Sequence, residues 1–194
     1  MKLSLALLFS LTLCAQSLKE FEKKVTEFTL PNGLRFLIIE RHDAPVVSFH
    51  TYVNVGSVDD PSGETGIAHM FEHMAFKGTN EIGTTNYAAE KLALAKVESA
   101  FAAYQRENLK EGGRDPAKVE QVEKAWKDAV EKANEFVKPN EFGEIVESHG
   151  GAGMNANTDL DDTTYFYSFP ENRLELWAYL ESERFLHPVM REFY

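Results

Sequence analysis

The sequence predicts an α+β domain, a mainly antiparallel sheet with helices packed on one face, plus an inserted antiparallel helical hairpin. Three observations carry that reading. Residues 25–55 alternate apolar and polar positions around one strong turn signal, Pro31-Asn32-Gly33. Residues 94–136 carry two apolar stripes at three–four spacing on either side of a glycine turn. The last third has two short strand-like runs and then a helical one. Strands and helices that segregate along the chain suit an α+β layout better than repeated parallel crossover units.

Taken in order, the chain opens with Met1-Lys2, an apolar run from Leu3 to Cys14, and Ala15-Gln16-Ser17. A basic start, an apolar stretch of about a dozen residues and small residues after it read as a secretory signal peptide over 1–17, too short to span a bilayer as a helix. The predicted domain is 18–194. Val25 to Leu30 reads as a strand, Asn32-Gly33 accepts the positive φ of a tight turn, and Leu34 to Glu40 returns. Val46 to Val55 is a third strand, with Val47, Phe49, Thr51, Val53 and Val55 on one face. Asp59 to Gly63 is a turn-rich loop before a helix that Gly78 closes.

A second helix is predicted to begin near Asn86. Leu94, Val97, Phe101 and Tyr104 form its stripe. Asp115-Pro116 then caps a third helix striped by Val119, Val122, Trp126, Ala129, Ala133 and Phe136. The two stripes are expected to bury mainly against each other, as a hairpin over about 88–138. Phe142 to Ser148 ends another helix, and Met154 to Thr158 and Thr163 to Phe169 are strands. Pro170-Glu171 starts a helix expected to bury Leu174, Trp177, Leu180 and Leu186.

Composition narrows the function. A formal net charge of −11 leaves no basic surface for nucleic acid and gives no attraction to anionic lipid, so neither a nucleic-acid partner nor a stable membrane anchor is expected. The hairpin is balanced, with ten acids and ten bases over 88–138, whereas 139–194 holds eleven acids and three bases. Cys14 is the single cysteine and would leave with the signal, so the exported protein has no thiol for metal or nucleophilic chemistry. The glycine run Gly150–Gly153 lacks the Gly-Lys-Ser/Thr of a phosphate loop, and Asp159 to Asp162 lacks the glycine and terminal glutamate spacing of an EF-hand.

One segment carries chemistry: His69-Met70-Phe71-Glu72-His73, an H-x-x-E-H pattern. At about 100° per residue the three polar side chains fall within an arc of about 100° on one helix. Histidines four apart can bind a single metal ion, and zinc suits two neutral imidazoles with a third ligand and a position left for water. A carboxylate beside that water can take its proton, and the hydroxide can attack a peptide carbonyl. Ile67, Met70, Phe71 and Met74 are expected to pack the helix from another face. His42, His50, His149 and His187 are isolated and read as ordinary structural or surface histidines.

The segment Gly66 to Thr79 resembles the active site of the pitrilysin/insulinase family of zinc peptidases, closest to its bacterial, mitochondrial-processing-peptidase-like branch. Leu30-Pro31-Asn32-Gly33-Leu34, Gly56-Ser57, Gly150 to Thr158 and Thr164-Tyr165 are similar to flanking family segments. The resemblance runs from about Val25 to the end, apart from the hairpin, which reads as an insertion. It implies a zinc-dependent endopeptidase N-terminal domain in which His69 and His73 bind one Zn2+ and Glu72 is the general base. Asn155 and Ala156 would lie on an edge strand that receives a peptide or unfolded polypeptide substrate as an added strand. It also implies a second homologous domain or subunit as partner, and an exported, periplasmic or secreted, bacterial protein.

The family's third zinc ligand is a glutamate on a helix that the resemblance places just beyond Tyr194; Glu181, Glu183 and Glu192 do not match it. The domain is therefore expected to be incomplete at its C-terminus. Two alternatives stand beside the peptidase. One is a non-catalytic peptide-binding or assembly subunit of the same fold. The other is a small lyase of the autoinducer-synthesising type, which shares H-x-x-E-H but is cytoplasmic and uses a cysteine.

Overall fold

The structure, a computed structural model, describes residues 19–194. The predicted signal peptide lies outside them. The described residues fall into two compact units, one ending at Pro45 and one spanning Val46–Tyr194.

The first unit is a hairpin. β1 (Val25–Thr29) pairs antiparallel with β2 (Arg35–Ile39), from Val25 opposite Ile39 to Thr29 opposite Arg35. Asn32 makes the turn, its Oδ1 accepting the Leu34 N–H at 3.1 Å. The register sets Phe28 against Phe36, and their rings stack 4.7 Å apart.

The second unit is built on a three-stranded antiparallel sheet. β3 (Val46–Val53), β4 (Ala152–Thr158) and β5 (Thr163–Pro170) lie in the order β3-β5-β4. β5 is central and its burial alternates along its whole length, with Thr163, Tyr165, Tyr167 and Phe169 turned into the core. β4 is an edge strand, with a bulge between Ala152 and Asn155. The helices are α1 (Ile67–Met74), α2 (Tyr87–Asn108), α3 (Pro116–Asn134), α4 (Glu141–Ser148) and α5 (Leu174–Leu186). The α+β class and the antiparallel pairing expected from sequence are what the structure shows.

The core lies on one face of this sheet. Phe49, Tyr167 and Phe169 from the strands meet Phe142 and Val146 from α4 and Leu180 from α5. Trp177 stacks on Phe49 with ring centroids 4.2 Å apart. Each such aromatic or leucine taken out of water contributes about 1.5–3 kcal/mol. The opposite face of β3 carries exposed Ser48, His50 and Tyr52.

The inward stripe of α5 differs from the apolar one expected. Leu174 and Leu186 are 52% and 70% exposed, because Leu186 falls about half a turn of the helical wheel away from Trp177 and Leu174 is the helix's first residue. Buried Glu181 and Arg184 take the inward positions instead. Glu181 accepts from Thr51 Oγ1 at 2.6 Å, from Tyr167 Oη at 2.9 Å, and from Arg184. The Arg184 guanidinium sits 4.4 Å from the Tyr165 ring centroid and also faces Phe76 and Phe142. Burial and the Glu181 carboxylate push the Tyr167 phenol well above its ordinary pKa, so it remains a hydrogen-bond donor.

α2 and α3 pack along one another through Phe101, Tyr104 and Trp126, with Phe101 and Tyr104 ring centroids 5.1 Å and 5.3 Å from the indole. Thr84 pairs with Val137 at the base and Arg114 donates to Asn108 near the tip, so the two helices run antiparallel. They are not packed only on each other. Tyr194 stacks on Phe101 at 4.7 Å and its hydroxyl donates to Glu98 at 2.6 Å. Arg191 is wholly buried against Glu90 at the start of α2, with Nε 2.5 Å from Oε1. The same guanidinium donates to the carbonyls of Lys77, Thr79 and Ile82, which fastens the loop leaving α1.

Candidate metal centre

α1 is short, and its start is held from outside the helix. Gly66 precedes it with φ +97°, a left-handed value that a side chain would resist. The carboxylate of Asp60 reaches back to the first turn, Oδ2 accepting from Gly66 N at 2.6 Å and Oδ1 from Ala68 N at 2.9 Å. These two donors, Ala68 above all, hold the Asp60 carboxyl below its ordinary pKa. The negative charge also suits the positive end of the helix dipole.

On this helix the four-residue spacing brings His69 and His73 together. Their Nε2 atoms are 3.1 Å apart and both rings are exposed. A tetrahedral zinc with Zn–N bonds of about 2.0–2.1 Å needs its two nitrogens about 3.3 Å apart. The donor pair therefore fits a single ion. Among the described residues no third His, Cys, Asp or Glu completes a group of three around them. Glu181 is engaged in the core, Glu183 pairs with His187 Nδ1 at 3.1 Å, and Glu192 pairs with Lys77 at 2.8 Å.

Glu72 lies on the same helix but is only 8% exposed. Its carboxylate reaches β4, where Thr158 Oγ1 donates to Oε2 at 2.5 Å. Thr158 stands opposite Thr163, whose hydroxyl donates to Val55 O at 2.9 Å. Asn155 and Ala156 lie on the same edge strand, opposite Phe166 and Tyr165. Asn155 is exposed and Ala156 half-buried.

The remaining histidines are engaged locally: His50 stacks on Phe166 and His149 Nδ1 lies 2.7 Å from Ile145 O. Phe71 was expected to pack α1 but is 50% exposed. It borders an open apolar cleft of about 380 Å³ that Ile67, Tyr165 and Phe185 also line.

Sequence reasoning had singled out neither Asp60 nor Thr158. The capping aspartate is six residues before the helix glycine it serves, and the threonine is 86 residues from its glutamate.

Part of the chain is similar to known proteins. Residues 35–110 match the family model described as insulinase, peptidase family M16. Over that stretch the chain is similar to the insulinase family. The chloroplastic stromal processing peptidase of Oryza sativa subsp. indica is 45% identical over 60 residues, covering 30% of this chain and 5% of that protein. The probable zinc protease PqqL of Haemophilus influenzae is 31% identical over 111 residues, covering 51% of this chain and 12% of its own length. A solved protease from Helicobacter pylori has the same fold, with a TM-score of 0.55 and 24% identity, over 88% of this chain and 27% of that one. The chain thus spans a small part of the insulinase-family relatives it matches. No helix among the described residues is long and apolar enough to cross a membrane.

Proposed function

We propose that this chain is the N-terminal, zinc-binding segment of an exported metalloendopeptidase. The observation that carries the proposal is the pair of Nε2 atoms 3.1 Å apart on a helix whose intervening carboxylate, Glu72, is held by a neighbouring strand. His69 and His73 would hold the ion as neutral imidazoles, each with its proton on Nδ1. Zinc, when bound, supplies a Lewis acid that polarises a peptide carbonyl and makes water more acidic near neutral pH.

Glu72 is the general base. Its Oε2 is taken by the Thr158 hydroxyl, which leaves Oε1 to accept the proton of the attacking water and then to deliver it to the departing amide nitrogen. β4 offers its free edge to substrate. An extended peptide or unfolded polypeptide would add as a further strand beside Asn155 and Ala156, read through the main chain. A third zinc ligand and a second homologous domain or subunit come from outside residues 19–194, and the signal peptide over 1–17 directs the protein to the periplasm or beyond.

The test measures metal content and peptide cleavage together, on this chain and on a form extended to include a third ligand and second domain. Glu72→Gln should keep zinc and lose cleavage, and His73→Ala should lose both. Glu72→Gln cleaving at the wild-type rate would overturn the proposal. The non-catalytic reading predicts instead that peptide binding persists in all forms with no cleavage in any.

A further inference from the structure

We infer that Thr158 is a positioning residue for Glu72, tying the base on α1 to the strand edge that would receive substrate. The function of the pair rests on the peptidase reading above; the hydrogen bond between them does not. Glu72 is 8% exposed, so its carboxylate has little water to satisfy it and needs a protein donor. Among the described residues the Thr158 hydroxyl is the donor that meets it, at 2.5 Å. A hydrogen bond to a charged acceptor is both short and directional, so it fixes where the carboxylate plane lies. It also decides which oxygen is free.

Thr158 is itself braced. The turn that follows it closes through Asp159 N to Asp162 O at 2.8 Å. The segment after β3 clamps that turn, Ser57 N donating to Asp159 O at 2.9 Å and Val58 N to Leu160 O at 3.0 Å. Asp60, two residues further on, caps α1 through Gly66 and Ala68. One short stretch, residues 55–60, therefore anchors both partners of the Thr158–Glu72 bond. Ala156 and Thr158 alternate onto the same face of β4, so an extended polypeptide added at the strand's free edge engages the element that orients the base. Strand docking and base alignment become one event, which favours extended substrates over compact ones.

The experiment uses the 194-residue protein with Thr158→Ser and Thr158→Val. Valine keeps the shape and the strand preference while removing the hydroxyl. Thr158→Ala is the second hydroxyl-less variant should the valine form fail to fold. The first readout is the carboxyl carbon resonance of Glu72 by 13C NMR, assigned through Glu72→Gln. It should move in Thr158→Val and stay near wild type in Thr158→Ser. Zinc uptake should be unchanged in both, and melting should fall in Thr158→Val, where the buried carboxylate loses its donor, while Thr158→Ser melts near wild type. In the form that cleaves peptide, Thr158→Val should lower kcat about 10–100-fold with KM little changed, and serine should restore it.

An unmoved Glu72 resonance in Thr158→Val, or serine behaving as valine does, would overturn the inference. A wild-type protein in which neither this chain nor its extended form takes up zinc would overturn the peptidase reading alone. The Glu72 resonance would still decide whether Thr158 holds the carboxylate.

Discussion

Arg191→Met should be among the most damaging single changes in this protein. Arg191 and Glu90 are both fully buried, and the guanidinium grips the carboxylate with two nitrogens, Nε to Oε1 at 2.5 Å and Nη2 to Oε2 at 3.0 Å. Methionine fills the space of the aliphatic stem but leaves Glu90 as an unpaired buried carboxylate. Breaking a buried pair from one side costs about 3–5 kcal/mol. The carbonyls of Lys77 and Ile82, which the guanidinium approaches at 3.1 Å and 3.0 Å, lose a donor as well. For a chain of this size each kcal/mol lowers the melting temperature by about 2–4 °C, so a drop of about 6–20 °C is expected. Urea unfolding at pH 7 gives the free energy directly. Pairing the change with Glu90→Leu removes the charge together with its partner, and the double variant should recover much of the carboxylate's share while the orphaned carbonyls keep a remainder. A single variant within about 1 kcal/mol of wild type, or a double variant no more stable than the single, would refute the claim that the buried pair holds the C-terminal segment and the loop after α1 together.

Two further predictions concern the supports of α1. Gly56→Ala should destabilise by about 1–3 kcal/mol, because a Cβ there would lie 2.4 Å from Leu160 O and 2.6 Å from Asp159 O, both backbone atoms that side-chain movement cannot relieve; an unchanged urea midpoint would contradict this. Asp60 has a folded pKa lowered by the N–H groups of Ala68 and Gly66, so its contribution is complete above its unfolded value of about 4 and is lost as the pH falls through the lower folded value. Helix content and melting temperature should decline more steeply in acid for wild type than for Asp60→Asn, and identical acid limbs would remove Asp60 from the account.

What could be read in the sequence was local. The turn at Asn32-Gly33, the helix start near Asn86 and the cap at Asp115 each depend on atoms two or three residues away, Asn86 Oδ1 accepting from Ala89 N at 3.2 Å and Asp115 Oδ1 from Ala117 N at 3.0 Å. The meeting of His69 with His73 is of the same kind, since helix geometry alone sets a four-residue neighbour. α5 shows where periodicity fails. An apolar stripe assigns Leu174 and Leu186 to the interior, but Glu181 and Arg184 hold inward positions, where Thr51 and Tyr167 donate to Glu181 and aromatic rings surround Arg184. No pattern of apolar residues can announce a buried polar pair whose partners come from other elements.

The same reasoning separates the atoms that would touch a metal from the atoms that keep them in place. His69, Glu72 and His73 are legible because they share one helix. The groups that hold that helix are scattered: Asp60 caps it from the preceding loop, Thr158 meets Glu72 from a strand 86 residues later, and Arg191 secures the loop leaving it from near Tyr194. Each is a single polar side chain whose role exists only once the chain has folded, and each is an ordinary residue type in an ordinary surrounding sequence. Under the proposed peptidase reading, a chain that kept H-x-x-E-H and lost Thr158 would carry the motif and lack the contact that holds Glu72. On that reading the motif names the chemistry proposed for this protein, while the three long-range polar contacts hold the helix that would present it.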